Sequence, residues 1–186
     1  MKKLTQIMIA AVLFVIPLYA NAGIIGNADL KLQSTSPTGY VTFPGPVSNT
    51  YYLDYDVKLN NAAAWSEAFC VENAAGATDG LNHPYTLLTI DASLSNYGLT
   101  PSKYLQALVI ADYFYNNYLN NEAMKAGAQI AIWEVMFDST FDLSQDNFKA
   151  GANNDYDDEA LTIWDTVKFW NIPAYSTEWA LAVSPA

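Results

Sequence analysis

Two side chains in the sequence could take part in a covalent reaction, the thiol of Cys70 and the carboxamide of Gln129. Cys70 is the only cysteine, so its thiol has no internal disulfide partner, and a thiol is a strong nucleophile once it is deprotonated. Gln129 lies in the stretch 126–137, in which Glu134 is the only other polar residue, and such a helix is expected to be buried. A buried carboxamide without hydrogen-bond partners costs roughly 2–7 kcal/mol, so the fold must either satisfy this group or use it.

The segment around Cys70 reads as a strand in residues 64–72. In a strand, Phe69 and Val71 would share one face and Cys70 would lie on the other. A cysteine that served only as a small hydrophobic residue would fit better beside Phe69 and Val71. A structural role remains open, because buried free cysteines are usually inert and buried glutamines commonly hydrogen-bond to backbone groups.

Two motifs together resemble the thioester domains of bacterial surface and exported proteins. The first is Phe69-Cys70-Val71-Glu72, in the β part of the chain. The second lies on the apolar helix and reads Ala128-Gln129-Ile130-Ala131-Ile132-Trp133-Glu134. Ala128 stands where many Gram-positive members of that family have threonine.

The resemblance implies a specific chemistry. The sulfur of Cys70 would be acylated by the side-chain carbonyl of Gln129 with loss of ammonia, and an amine of a partner molecule would then attack the thioester. This is single-turnover covalent binding, as in adhesion or surface cross-linking, and not enzyme catalysis. The pocket that keeps water away would be lined by Phe69, Ile132, Trp133 and Glu134. The partner would be an amine-bearing protein or another surface ligand, and no cofactor or metal is required.

The secondary structure predicted around these residues has an α+β pattern. Alternating apolar and polar residues predict strands near residues 30–32, 51–59, 64–72, 85–90 and 179–183. Between the first two of these strands, turns are indicated by Pro37, Gly39, Pro44, Gly45 and Pro46.

Three helices are predicted in the middle of the chain. Thr100 and Pro101 provide an N-cap and a first helical residue for a helix to about residue 118. Asn120 or Asn121 caps a second helix to about residue 137. A third, with an acidic start, runs from about residue 157 to 170. We therefore expect an antiparallel β-sandwich or barrel (residues 23–98 and 174–186) with a helical insertion (residues 100–172).

The N-terminus predicts export. Lys2 and Lys3 precede an apolar run, residues 7–18, and Ala20-Asn21-Ala22 follows as a cleavage signal. The apolar run is shorter than the roughly 20 residues that cross a bilayer, which disfavours a membrane anchor. Residues 1–22 are thus predicted to be a signal peptide and residues 23–186 a single domain without a transmembrane segment, located in the periplasm, at the cell surface or in the medium.

The charge of the chain disfavours nucleic acid as a partner. The formal net charge is −11, and the loss of Lys2 and Lys3 with the signal peptide lowers it to −13. The sequence contains no arginine, so little is available to neutralise phosphates.

Other functions remain open. A non-covalent carbohydrate- or protein-binding module could use some of the thirteen tyrosines and five tryptophans, with Cys70 purely structural. A cysteine hydrolase or transamidase could pair Cys70 with His83, although His83 is expected in a polar loop next to Pro84. The acidic stretch 153–159 lacks the glycine and the final glutamate of an EF-hand calcium loop and is expected to be a helix start in a solvated loop.

Overall fold

The computed structural model describes residues 11–15, 24–44, 48–60, 62–71, 81–145, 147–150 and 155–183. The strands within these residues are β1 (Ala11–Val15), β2 (Ile24–Thr42), β3 (Ser48–Leu59), β4 (Ser66–Cys70), β5 (His83–Asp91) and β6 (Tyr175–Val183). The helices are a 3-10 helix (Ala92–Tyr97), α1 (Pro101–Tyr118), α2 (Glu122–Phe137) and α3 (Asp157–Val167). Strands, then helices, then a returning strand confirm the predicted α+β class.

The described strands form one antiparallel sheet whose pairing closes on itself. The order is β1-β4-β3-β2-β5-β6, and β6 pairs again with β1. Paired residues of antiparallel strands project to the same face, so the register separates an inner face from an outer face. Buried residues of the inner face are Ala28, Leu30, Leu32, Tyr55, Val57, Ala68, Cys70, Tyr85, Leu87 and Ala182.

Strand β1 comes from the segment predicted to be the signal peptide. Its five residues pair with β6, and Val12, Leu13 and Phe14 also pair with β4. In the full-length chain, this segment therefore occupies the position between β4 and β6. Cleavage after residue 22 stays a prediction, but it would remove this strand from the sheet.

Strand β2 is longer than expected and corrects the predicted turn at Pro37 and Gly39. Both residues lie within the strand, where the pairing with β3 shifts between Thr35 and Thr38. Proline has no N–H to donate to a ladder, so it is tolerated where such an irregularity takes it out of regular pairing. Pro44 follows the strand, and residues 45 and 46 lie outside the described residues.

The predicted starts of α1 and α2 are confirmed. Thr100 occupies the N-cap of α1 with Pro101 as the first helical residue, and the side chain of Asn121 caps α2 by accepting from the N–H of Met124 at 3.1 Å. Helix α3 ends at Val167, which is earlier than predicted. The residues after it are exposed, so continuing the helix would gain no burial, and helices in proteins depend mainly on such packing.

The helices cover part of the outer face of the sheet. On this face, the ring of Phe69 in β4 lies 5.6 Å from the ring of Phe114 in α1 and 5.9 Å from that of Trp179 in β6. Phe69 and Cys70 therefore point to opposite faces, as predicted for a strand. In the described part of the chain, we find no helix with the length and apolar character needed to span a bilayer.

Candidate functional site

The structure brings Cys70 and Gln129 together. The N–H of Cys70 donates to Oε1 of Gln129 at 2.9 Å, and Nε2 of Gln129 donates to the carbonyl oxygen of Cys70 at 2.7 Å. Gln129 is 0% exposed and Cys70 is 6% exposed. The two predicted reactive residues, 59 positions apart in sequence, are thus joined by two hydrogen bonds in a buried site.

The contact depends on where β3 and β4 stop pairing. The last β4 residue paired with β3 is Ala68, opposite Tyr55, and Cys70 lies two residues further along. Alternate residues of a strand point their backbone N–H and C=O groups to the same side. Helix α2 places Gln129 where its carboxamide bonds both groups of Cys70, as the backbone of a neighbouring strand would. A buried carboxamide and a buried strand end therefore satisfy each other.

Tyr55 belongs to the same site on the inner face of the sheet. Burial raises the pKa of the Tyr55 hydroxyl well above its ordinary value, and the nearby Cys70 and Tyr51 raise it further. This phenol therefore stays protonated and can donate a hydrogen bond, but it cannot serve as a base. Tyr55 is not among the predicted site residues, although its position in the alternating strand was a usable signal.

Three of the four predicted pocket residues are buried around the site. Phe69 covers the outer side of β4, as described above, and Ile132 is fully buried. Trp133 lies one helical turn after Gln129, and its ring packs edge-on against Phe43 at 5.0 Å. This aromatic packing extends through Tyr51, Phe137 and Phe148. Bulk water is therefore kept from the C-terminal side of Gln129.

Glu134 is also buried, but its described contact lies away from Cys70. Its Oε1 accepts from the N–H of Asp142 at 2.6 Å. Four residues further on, the carboxylate of Asp138 accepts from the N–H groups of Asn147 and Phe148, both at 2.8 Å. These carboxylates hold the loop after α2, and with it Phe148, against the aromatic residues around Trp133.

A buried lysine one turn before Gln129 fastens α2 to the sheet. Lys125 is 5% exposed, and its Nζ donates to the carbonyl oxygen of Tyr55 at 2.9 Å. It forms ion pairs with Glu67 at 2.5 Å, with Asp56 at 3.2 Å and with Asp54. Residues four apart share one side of a helix, so the lysine and Gln129 both face β3 and β4. Lys125 therefore helps to set the position of Gln129 over Cys70.

The charges in this cluster are unbalanced, since three carboxylates surround one ammonium. Burial alone would lower the pKa of Lys125, but Glu67 and Asp54 outweigh it and raise that pKa, so the lysine stays charged. Burial raises the pKa of Glu67 against the opposing effect of Lys125. Lys125 is not among the residues selected from the sequence, because nothing local shows which carboxylates it meets.

His83 lies elsewhere than expected. It is the first residue of β5, half-buried and paired with Leu30, and it is not in a loop. Two strands separate β5 from β4 in either direction around the sheet, so the fold places His83 and Cys70 on opposite sides of it. Of the acidic stretch, residues 153 and 154 lie outside the described residues, and Asp157–Glu159 form the first turn of α3.

Comparison with models of known protein families found no match, and neither the curated proteins nor the solved structures contain a match to this chain. Function therefore has to be inferred from the site itself.

Proposed function

We propose that the protein is an exported thioester domain that captures an amine-bearing partner covalently through Cys70 and Gln129. The observation that supports this most strongly is the pair of hydrogen bonds that hold the Gln129 carboxamide against Cys70. Cδ of Gln129 carries both Oε1 and Nε2, so the two hydrogen bonds hold this carbon next to the backbone of the residue that bears the thiol.

Formation of the thioester requires one bond to form and one to break. The Cys70 sulfur bonds to Cδ of Gln129, the Cδ–Nε2 bond breaks, and the thiol proton leaves with the nitrogen as ammonia. Negative charge develops on Oε1 during the attack, and the N–H of Cys70 already donates to this atom. A donor in place before the reaction stabilises such charge without reorganisation, most strongly in a buried site.

Capture is the second step. The amine of the partner attacks Cδ, the bond between Cδ and sulfur breaks, and the Cys70 thiol is restored as a stable amide links the two molecules. In the full-length chain both residues are buried, and Phe69 and the aromatic residues around Trp133 cover the site on the sides away from β1, which keeps water from the thioester. The protein is consumed in the process, so it acts as a covalent binder with a single turnover.

Intact mass spectrometry of the processed protein tests the proposal. We expect the wild-type mass to be one ammonia below the value for its sequence, and Cys70→Ala and Gln129→Ala to show no such loss. Gln145→Ala is a matched control, because Gln145 is an exposed glutamine that bonds only to Asp142 in the described structure. Methylamine should add to the wild type and to this control alone. An unmodified wild-type mass, with Cys70 open to alkylation in the native state, would disprove the proposal.

A second candidate is a non-covalent binding module. Three exposed apolar residues follow α3, namely Phe169 at 85% exposure, with Trp170 and Ile172 about half as exposed. The Trp170 ring packs edge-on against Tyr113 at 5.4 Å, which holds it in place at the surface. Clustered apolar exposure often marks a binding site. This function predicts that Phe169→Ser abolishes binding to a panel of immobilised glycans and proteins, while Cys70→Ala leaves it unchanged.

A further inference from the structure

The position of β1 has a consequence for the exported chain. Cleavage after residue 22 would remove Ala11–Val15 and leave β4 and β6 as two facing edges of an opened sheet. Adjacent strands are about 4.8 Å apart, so the gap between these edges would be about 10 Å wide, the space of one strand. At each edge, the backbone N–H and C=O groups that face β1 would lose their partners in that strand.

Contacts that do not involve β1 also hold the two edges, and we expect them to persist after cleavage. Strand β4 stays paired with β3 over Ser66, Glu67 and Ala68, and Cys70 stays bonded to Gln129. Strand β6 stays paired with β5. On the outer face, the rings of Phe69 and Trp179 span the gap from one edge to the other. Joining β4 directly to β6 would require breaking several of these contacts.

We propose that the exported chain accepts an extended apolar strand of a partner protein into this slot, and that this strand carries the lysine captured at Cys70. The inference rests on the proposed function, through both export and the thioester. The incoming strand would run antiparallel to β4 and β6 and complete both ladders, as strand addition does at other sheet edges. The segment that occupies the slot in the full-length chain is Ala-Val-Leu-Phe-Val, an uncharged apolar sequence.

The register determines where the lysine must lie. In the full-length chain, Val12 pairs with Cys70 and Leu13 pairs with Phe69. The residues of an incoming strand that take these two places are called positions 12 and 13. Because paired residues of antiparallel strands project to the same face, a lysine at position 12 would share the inner face with Cys70. A lysine at position 13 would point to the outer face.

The inner face also suits the chemistry of an attacking amine. Neighbouring residues on this face include Ala68, Leu87 and Ala182, which are apolar and buried. Burial among apolar groups lowers the pKa of a lysine and increases the fraction of neutral amine, which is the nucleophilic form. A partner lysine delivered on a strand would therefore be activated by the same step that binds it.

Binding to the slot can be tested without reference to the thioester. The probe is a peptide with the sequence of residues 11–15 between soluble glutamate–serine tails, added to the exported chain beginning at Gly23. We expect the amides of β4 and β6 that face the slot to exchange fast without the peptide and slowly with it, and the uncleaved full-length chain to show no response. Full protection of both strands without peptide, or no protection with it, overturns the proposal.

The capture step is tested with two further peptides that differ only in register. The Val12→Lys peptide should form an adduct with the exported chain by intact mass, with Gln129 linked to the lysine and Cys70 free. The Leu13→Lys peptide should bind as well but react at least about ten-fold more slowly, because its amine is on the wrong face. Equal reaction of the two peptides refutes the register.

The outcomes separate this inference from the proposed function. If the wild type reacts with methylamine but no peptide protects β4 and β6, strand binding between these two edges is refuted and the thioester stands. If the peptides protect both strands but the mass shows no loss of ammonia, strand binding stands and lysine capture is refuted together with the thioester.

Discussion

Replacing Cys70 by alanine should separate a thioester from a purely structural pair of residues by its effect on stability. The substitution removes the sulfur and leaves the backbone N–H and C=O of residue 70 bonded to Gln129. With a free thiol, the loss is that of one buried atom, about 1 kcal/mol. With a thioester, a cross-link between residues 59 apart is also lost. By the chain-entropy relation for cross-links, a loop of that length contributes about 4 kcal/mol.

The assay is denaturant unfolding, with the mass of each sample verified first. Three proteins are compared, namely the wild type, Cys70→Ala, and the wild type opened by methylamine, which retains the sequence but lacks the cross-link. We expect the free energy of unfolding to fall by about 4–5 kcal/mol in Cys70→Ala and by about 4 kcal/mol in the opened protein. The free energy of unfolding of Gln129→Ala should be lower by about a further 1–3 kcal/mol, because this variant leaves the backbone groups of Cys70 buried without partners.

A different ranking would refute this reasoning. If Cys70→Ala unfolds within about 1 kcal/mol of the wild type while Gln129→Ala is clearly destabilised, the glutamine serves only to satisfy the end of β4. The covalent function would then be refuted, and the hydrogen bonds to Cys70 would explain why Gln129 is needed for stability.

Three further predictions concern the ion pairs of Lys125, the contact between α2 and α3, and the first turn of α3. Lys125→Met should lower the free energy of unfolding by about 3–5 kcal/mol, because it leaves buried carboxylates without a counter-charge. The control Lys168→Met removes an exposed ion pair and should lower it by less than about 1 kcal/mol. Gly127→Ala should lower the free energy of unfolding by about 1–3 kcal/mol, because the added Cβ would lie 2.8 Å from the backbone nitrogen of Ala160 and push α3 from α2. Asp157→Asn should raise Tm at about pH 7 but not at about pH 4. Burial raises the pKa of the Asp157 carboxyl from 3.8 to about 6. The stability that this carboxyl contributes is therefore complete below its unfolded pKa and is lost as the pH rises through 6.

Each of these has a result that contradicts it. Equal losses for the two lysine variants would show that the ion pairs of Lys125 do not hold α2 in place. An unchanged stability of Gly127→Ala would mean that α3 can retreat without cost. A Tm gain for Asp157→Asn that is the same at both pH values would come from something other than the charge of that carboxyl.

The parts of the fold that depend on local pattern could be predicted from the sequence. The alternation in Tyr51–Leu59 predicted β3. Thr100 with Pro101 predicted where α1 begins, and Asn120 or Asn121 predicted where α2 begins. The prediction was wrong where non-local pairing overrode local signals. Pro37 indicates a turn by itself, but a long partner strand and a shift in register keep it within β2.

The candidate site divides in the same way. The apolar surroundings of Gln129 showed that its carboxamide is buried, and strand alternation showed that Cys70 points away from Phe69. The ion pairs of Lys125 could not be foreseen, because the carboxylates come from two strands far away in sequence. The placement of His83 in a strand across the sheet likewise depends on strand order.

The chemistry available to this protein can be read from residue types alone: one thiol, one carboxamide on an apolar helix, and an N-terminal segment whose pattern predicts export. Those properties follow from residue type and from the period of a helix or a strand, which are local. Three features required the folded chain: Gln129 meets the backbone of Cys70, Lys125 holds α2 against the sheet, and β1 lies beside Cys70. These depend on contacts between segments far apart in the chain, and such contacts form only when the whole domain buries its apolar faces together.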